Sequence, residues 1–126
     1  MLMAISQSPP FLPAAPSCAR ILVAEDPFVS SFLRTVLQRH GHEVLVGAPS
    51  RASELLRHGE VAADLVITNE PDLFLDLADK VRLLYVAATP DVDLAARFAK
   101  CRVLRKPFRN EDLLSAVEEL AHSDIP

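Results

Sequence analysis

The side chains with chemistry to offer gather in two places along the 126-residue chain. Glu25 and Asp26 form an acidic pair directly after the apolar run Ile21-Leu22-Val23-Ala24. Adjacent carboxylates can donate oxygens to a hard cation such as Mg2+, or pair with a lysine. The preferred reading is the pair, because an ion pair with Lys106 satisfies these charges without metal. Lys100, Arg102, Arg105, Lys106 and Arg109 then put five cations in ten residues. They form either a solvated rim balanced by Glu111 and Asp112, or a docking patch for an acidic partner or a nucleotide phosphate. His40, His42, His58 and His122 do not converge on a metal site. Three of them flank Gly41 and Gly59, where a solvated cationic imidazole suits a helix end. Cys18 and Cys101 show no CxxC or metal-ligand spacing, which fits free thiols in a reducing compartment. Cys101 reads as a small buried filler just before a strand.

Elements must hold these residues in place. Half the residues are hydrophobic and about a quarter are charged, as in an ordinary globular domain. The net charge of −4 weighs against a general nucleic-acid binder. No apolar run approaches the ~20 residues of a membrane span. The first nineteen residues carry no charge and four prolines, Pro9, Pro10, Pro13 and Pro16. They lack the basic start and unbroken apolar stretch of a secretory signal. The expected organisation is a flexible proline-rich tail over 1–19, one domain over 20–122 and a short tail over 123–126. A cytoplasmic location and no second domain are expected.

From Arg20 onward, short β-rich runs alternate with helical periods, the pattern of a parallel sheet with crossover helices. Strands are expected at Ile21 to Ala24, Glu43 to Val46, Leu65 to Thr68, Val81 to Val86 and Arg102 to Arg105. Pro27 can open the first helix. Phe28, Phe32, Leu33, Val36 and Leu37 recur at helical spacing, and Gly41 stops it. Ser50 is the expected N-cap of a second helix ending near Gly59. Leu73 to Lys80 fits about two helical turns. Thr89-Pro90-Asp91 reads as N-cap, N1 and N2 of a fourth helix reaching Lys100. Asn110 caps a fifth, with Leu113, Leu114, Val117 and Leu120 on one face. Right-handed crossovers make this an α/β doubly wound, five-stranded parallel sheet, with any site at the C-terminal strand ends.

Three segments resemble the response-regulator receiver family of two-component signalling. They are Ile21-Leu22-Val23-Ala24-Glu25-Asp26-Pro27, Asp64-Leu65-Val66-Ile67-Thr68-Asn69 and Leu104-Arg105-Lys106-Pro107-Phe108. The resemblance covers roughly Arg20 to Ala121 and implies a (βα)5 flavodoxin-like fold; the short stretch from Asn69 to Val81, with the loop Glu70-Pro71-Asp72, departs from the family and predicts a shortened third helix. It implies that Glu25 and Asp26 stand where the family holds Mg2+, and Lys106 where it contacts a phosphoryl oxygen. It also implies a cis peptide bond at Lys106-Pro107. The departures are informative. Asn69 occupies the phosphoacceptor position, and a neutral carboxamide has no anionic oxygen to attack phosphorus. Ala87 replaces the strand-four hydroxyl, and Val103 falls where an aromatic switch residue is expected.

The resulting expectation is a stand-alone pseudo-receiver, a binding module and not an enzyme. Its expected partners are a histidine kinase, a phosphotransfer protein or another regulator, with no nucleic acid, no membrane insertion and a homodimer left open. No cofactor is expected beyond weak or vestigial Mg2+ at Glu25 and Asp26. Arg102, Arg105 and Arg109 are the candidate interaction residues. Phe28 and Val29 on the first helix compete with them. Two rivals stay open: a noncanonical receiver phosphorylated on Glu70, and a small-molecule sensor using the vacated pocket.

Overall fold

A computed structural model describes residues 19–122. The elements run β1 (Arg20–Ala24), α1 (Pro27–Arg39), β2 (Glu43–Val46), α2 (Pro49–Arg57), β3 (Leu65–Thr68), a 3-10 segment (Pro71–Leu77), β4 (Arg82–Ala87), α3 (Val92–Ala95), β5 (Lys100–Arg105) and α4 (Asn110–Ala121). All strand pairs are parallel, in the order β2-β1-β3-β4-β5. The chain reverses its direction of travel across the sheet at β1. That opens a crevice at the C-terminal ends of β1 and β3, where Glu25 and Asn69 stand. This is the expected doubly wound fold. The expected tails at 1–19 and 123–126 lie outside the described residues, except Ala19.

Each sheet face has its own core. Ile21, Val23, Ile67, Leu84 and Val86 pack against Leu33 and Leu37 of α1 and Leu113, Val117 and Leu120 of α4. Leu22, Val66, Leu83 and Tyr85 face the other way, onto Ala52, Phe74, Ala95 and Phe98. Burial on both faces explains why β1 and β3 are continuous apolar runs. Both glycine stops hold: Gly41 and Gly59 take φ of 89° and 73° just past His40 and His58, a conformation that costs other residues a Cβ clash.

Several element ends differ from expectation. Ala48, not Ser50, is the N-cap position of α2, because Pro49 takes the first helical place that suits a residue without an N–H. Leu73 to Lys80 is not an α-helix. The chain coils as a tighter 3-10 segment ending at Leu77, with fully buried Phe74 fixing it to the second core. α3 is one turn and does not reach Lys100. Asp91 caps it, not Thr89: Asp91 Oδ1 accepts from the N–H groups of Asp93 and Leu94, both at 3.1 Å. The Tyr85 hydroxyl accepts from Asp91 N at 3.1 Å and holds the cap over β4. Buried Phe98 then draws the chain back, and β5 starts at Lys100, two residues early. Asn110 is the first residue of α4, and Arg109 occupies its cap position without a side-chain bond.

Candidate functional site

Glu25 follows β1 and is only 2 % exposed. Lys106, past the end of β5, approaches it, with Nζ 3.1 Å from Glu25 Oε2. The contact is close but lacks a directed hydrogen bond at Oε2, so it is an ion pair held by charge. Glu25 Oε1 accepts from Asp26 N at 3.1 Å. The Ser30 hydroxyl donates to Glu25 O at 3.1 Å, tying α1 to the strand end. Lys106 is placed by its own N–H, which donates to Ala87 O at 2.9 Å; its peptide bond to Pro107 is cis, as the resemblance implies. The structure therefore brings Glu25 and Lys106 together, as the preferred reading expected.

Asp26 does something else. It is the N-cap of α1, and Oδ1 accepts from Phe28 N at 2.9 Å and Val29 N at 3.0 Å. These bonds satisfy two of the four N–H groups a helix leaves open. Asn69 follows β3 and is half-buried. Its Oδ1 is buried and meets no donor among the described residues. Thr68 anchors the turn beneath it, donating to Ala24 O at 2.8 Å and accepting from Glu70 N at 3.0 Å. Ala87 presents only a methyl group.

This donor set does not suit Mg2+. One carboxylate is neutralised by an ammonium 3.1 Å away, the other caps a helix, and the third position holds a carboxamide. Mg2+ dehydrates reluctantly and needs a near-octahedral oxygen shell. It would have to displace Lys106 to reach Glu25.

The cation cluster resolves into separate pairs. Arg102 pairs with Glu119 of α4. Arg109 lies 3.7 Å from Glu111 and 3.6 Å from Asp112. Arg105 is exposed and makes no ion pair among the described residues. Val103 lies on β5, 37 % exposed, facing the side where α3 stops short. Neither the imidazoles nor the thiol joins the site. His40, His58 and His122 are exposed C-caps, as expected. His42 departs from that expectation: it is buried, and its Nδ1 accepts from Ala19 N at 3.1 Å. Burial pushes its pKa down, against a raising influence from Glu118 and with a further lowering one from His40. Cys101 lies within β5 and not before it, and is only partly buried. That burial pushes its thiol up to about 11, which keeps it unreactive near neutrality.

A second surface adjoins the pocket and shares Lys106 with it. Phe28, Val29 and Phe32 of α1 face Lys106, Pro107 and Phe108 across an open groove of about 830 Å³. Phe28 is 89 % exposed and Phe32 is 45 % exposed. The Phe32 and Phe108 rings meet tilted, 6.4 Å between centroids. The helical spacing placed Phe28 and Phe32 with the core stripe, but the buried stripe is Ser30, Leu33, Val36 and Leu37. At 100° per residue, Phe28 and Phe32 fall on the opposite side from Leu37, which is the signal that could have separated them.

No protein-family model matches the sequence, and comparison with curated proteins gives no match. Solved structures match well. A response regulator receiver protein from Sinorhizobium medicae is 16% identical, covering 82% of this chain and 94% of its own, with a TM-score of 0.66. A response regulator receiver domain protein from Clostridium thermocellum is 22% identical over the same shares, with a TM-score of 0.67. The chemotaxis response regulator CheY4 of Vibrio cholerae is 19% identical, covering 82% and 98%, with a TM-score of 0.68. At these identities the likeness is one of fold: the chain has the flavodoxin-like fold of receiver domains. No helix among the described residues is long and apolar enough to cross a membrane.

Proposed function

We propose that the chain is a stand-alone pseudo-receiver, a non-enzymatic signalling module that works through protein contacts and independently of its own phosphorylation. The observation that carries this is the buried Glu25–Lys106 pair beside Asn69. Phosphoryl transfer needs an anionic nucleophile and cations free to meet the transferred oxygens. Here the nucleophile is a carboxamide and the lysine is already engaged. With that chemistry gone, the domain has its surfaces to work with.

The groove on α1 is the anchoring surface in this reading, since exposed phenylalanines gain by burial and are enriched at interfaces. The partner is a histidine kinase, a phosphotransfer protein or another regulator, in the cytoplasm, presenting an apolar helix to Phe28 and Phe32. Arg105, flanked by Arg102 and Arg109, steers an acidic partner and adds rim contacts. Mg2+ has no role in this reading beyond weak, vestigial binding at Glu25 and Asp26.

Titration calorimetry with candidate histidine kinase and phosphotransfer domains tests the proposal. Binding that is unchanged by acetyl phosphate with Mg2+, and lost in Phe28→Ala, is the expected result. Affinity that rises severalfold only with acetyl phosphate present would overturn it.

A further inference from the structure

The two edges of the sheet are finished differently. β5 carries Lys100, Arg102 and Arg105 among its residues, the kind of charge that keeps an open edge from pairing. β2 carries one charge, Glu43, and leaves Leu45 40 % and Val46 43 % exposed.

The backbone bonds show how much of β2 is still unspent. Glu43 N donates to Ala19 O at 2.9 Å and Gly47 N to Val23 O at 3.0 Å, so Glu43, Leu45 and Gly47 turn inward to β1. Alternation along a strand then turns the N–H and C=O of Val44 and Val46 to the open edge. The next outward positions are already used. His42 N donates to Leu37 O at 3.2 Å, and Ala48 O accepts from Ala52 N at 2.8 Å. Val44 and Val46 thus offer four backbone groups, with Leu45 between them.

A second copy laid antiparallel matches all four at one register. Val44 faces Val46 of the second copy and Val46 faces its Val44, each pair exchanging two N–H···O=C bonds. Leu45 meets Leu45 at the two-fold axis, in the closer kind of pair, with Cα atoms ~4.5 Å apart. Glu43 falls opposite Gly47, so no like charges meet. An axis through Val44 would need the spent N–H of His42, and one through Val46 the spent carbonyl of Ala48. On β5 the same arrangement would bring two cationic strands together.

We infer that the chain pairs with a second copy of itself through β2, antiparallel and centred on Leu45, joining two five-stranded sheets into one. The inference stands on the sheet edge and is independent of the proposed function. The paired stretch is far shorter than the ~20–30 residues a side of a standard interface, so the pairing is weak and driven by concentration.

Sedimentation equilibrium of the full chain from about 10 μM to about 1 mM tests it. The average mass should climb from that of a monomer toward twice that value. Leu45→Lys sets two cations face to face and should hold the chain monomeric, while Val103→Lys on the opposite edge should leave the climb unchanged. Both positions are partly exposed, and circular dichroism reports the retained fold. The register is read by mild oxidation with peptide mapping. Leu45→Cys should form a disulfide between copies, since ~4.5 Å between Cα atoms is within disulfide reach, whereas Glu43→Cys, opposite Gly47, should not. A monomer mass throughout, a climb that survives Leu45→Lys, or a disulfide from Glu43→Cys in preference to Leu45→Cys would overturn the inference. A climb abolished by Phe28→Ala and not by Leu45→Lys would move the contact to the groove on α1 and equally overturn it.

Discussion

The basic rim of β5 and the aromatic face of α1 both border Lys106, yet they differ in how far their side chains are already satisfied. On the rim, Arg102 and Arg109 have carboxylate partners within the domain. On α1, Phe28 stands 89 % exposed at the edge of an open apolar groove. A cation in water is well solvated and a surface pair contributes little, about 0–1 kcal/mol. An exposed phenylalanine gains by leaving water, at roughly 25 cal/mol per Å² of apolar area. On these energies we expect the aromatic face of α1 to contribute more to docking than the basic rim.

Lys106 belongs to the rim by sequence but to the buried pocket by contact, and that predicts the largest effect. Lys106→Met removes the cation facing a carboxylate that is 2 % exposed. Breaking a buried pair from one side leaves an uncompensated charge, and we expect a loss of about 2–4 kcal/mol in denaturant unfolding. The paired change Glu25→Leu/Lys106→Met should recover most of it. Arg109→Met, whose partners are exposed, should change stability by less than about 0.5 kcal/mol.

Next in size is the binding contrast between the two faces. Phe28→Ala should weaken partner binding by about 2 kcal/mol in calorimetry while leaving the melting temperature nearly unchanged, since Phe28 packs on little within the domain. Arg105→Glu/Arg109→Glu should cost about 0.5–1 kcal/mol, expressed mainly as slower, more salt-sensitive association. If the charge reversals cost more than Phe28→Ala, the order of the two faces is inverted and the rim is the anchor.

The smallest effect lies away from both faces, at His42. Its folded pKa is lowered by burial, so the unfolded chain binds the proton more readily. Stability is then full above the ordinary imidazole value of about 6.5 and falls as pH drops through it toward the folded value. Protonation at Nδ1 would also break the bond from Ala19 N. Melts from about pH 7.5 to about pH 5.5 should show a decline that is absent in His42→Gln. A decline of the same size in His42→Gln would place its origin elsewhere.

The sheet was legible because β1 and β3 are buried on both faces and so read as unbroken apolar runs. The Glu25–Lys106 pair was legible through the strand-end segments that resemble receiver domains, though Asp26, expected in the same pair, caps α1 instead. The length of α3 was not legible. Residues 92–99 continue a helical period, but Tyr85 fixes the cap at Asp91 and Phe98 buries itself against the sheet, and both contacts are tertiary. His42 was misread for a similar reason: its partner lies 23 residues away at Ala19. Phe28 and Phe32 share the apolar character and near spacing of Leu33 and Leu37, and composition alone does not say which side of a helix the core takes.

The proposed function requires that this chain not accept a phosphoryl group. Intact-mass spectrometry of the chain incubated with acetyl phosphate and Mg2+ tests it most directly. An unmodified mass is expected, because Asn69 supplies no nucleophile and Lys106 is held by Glu25. A phosphoryl adduct, above all one mapped to exposed Glu70, would contradict it.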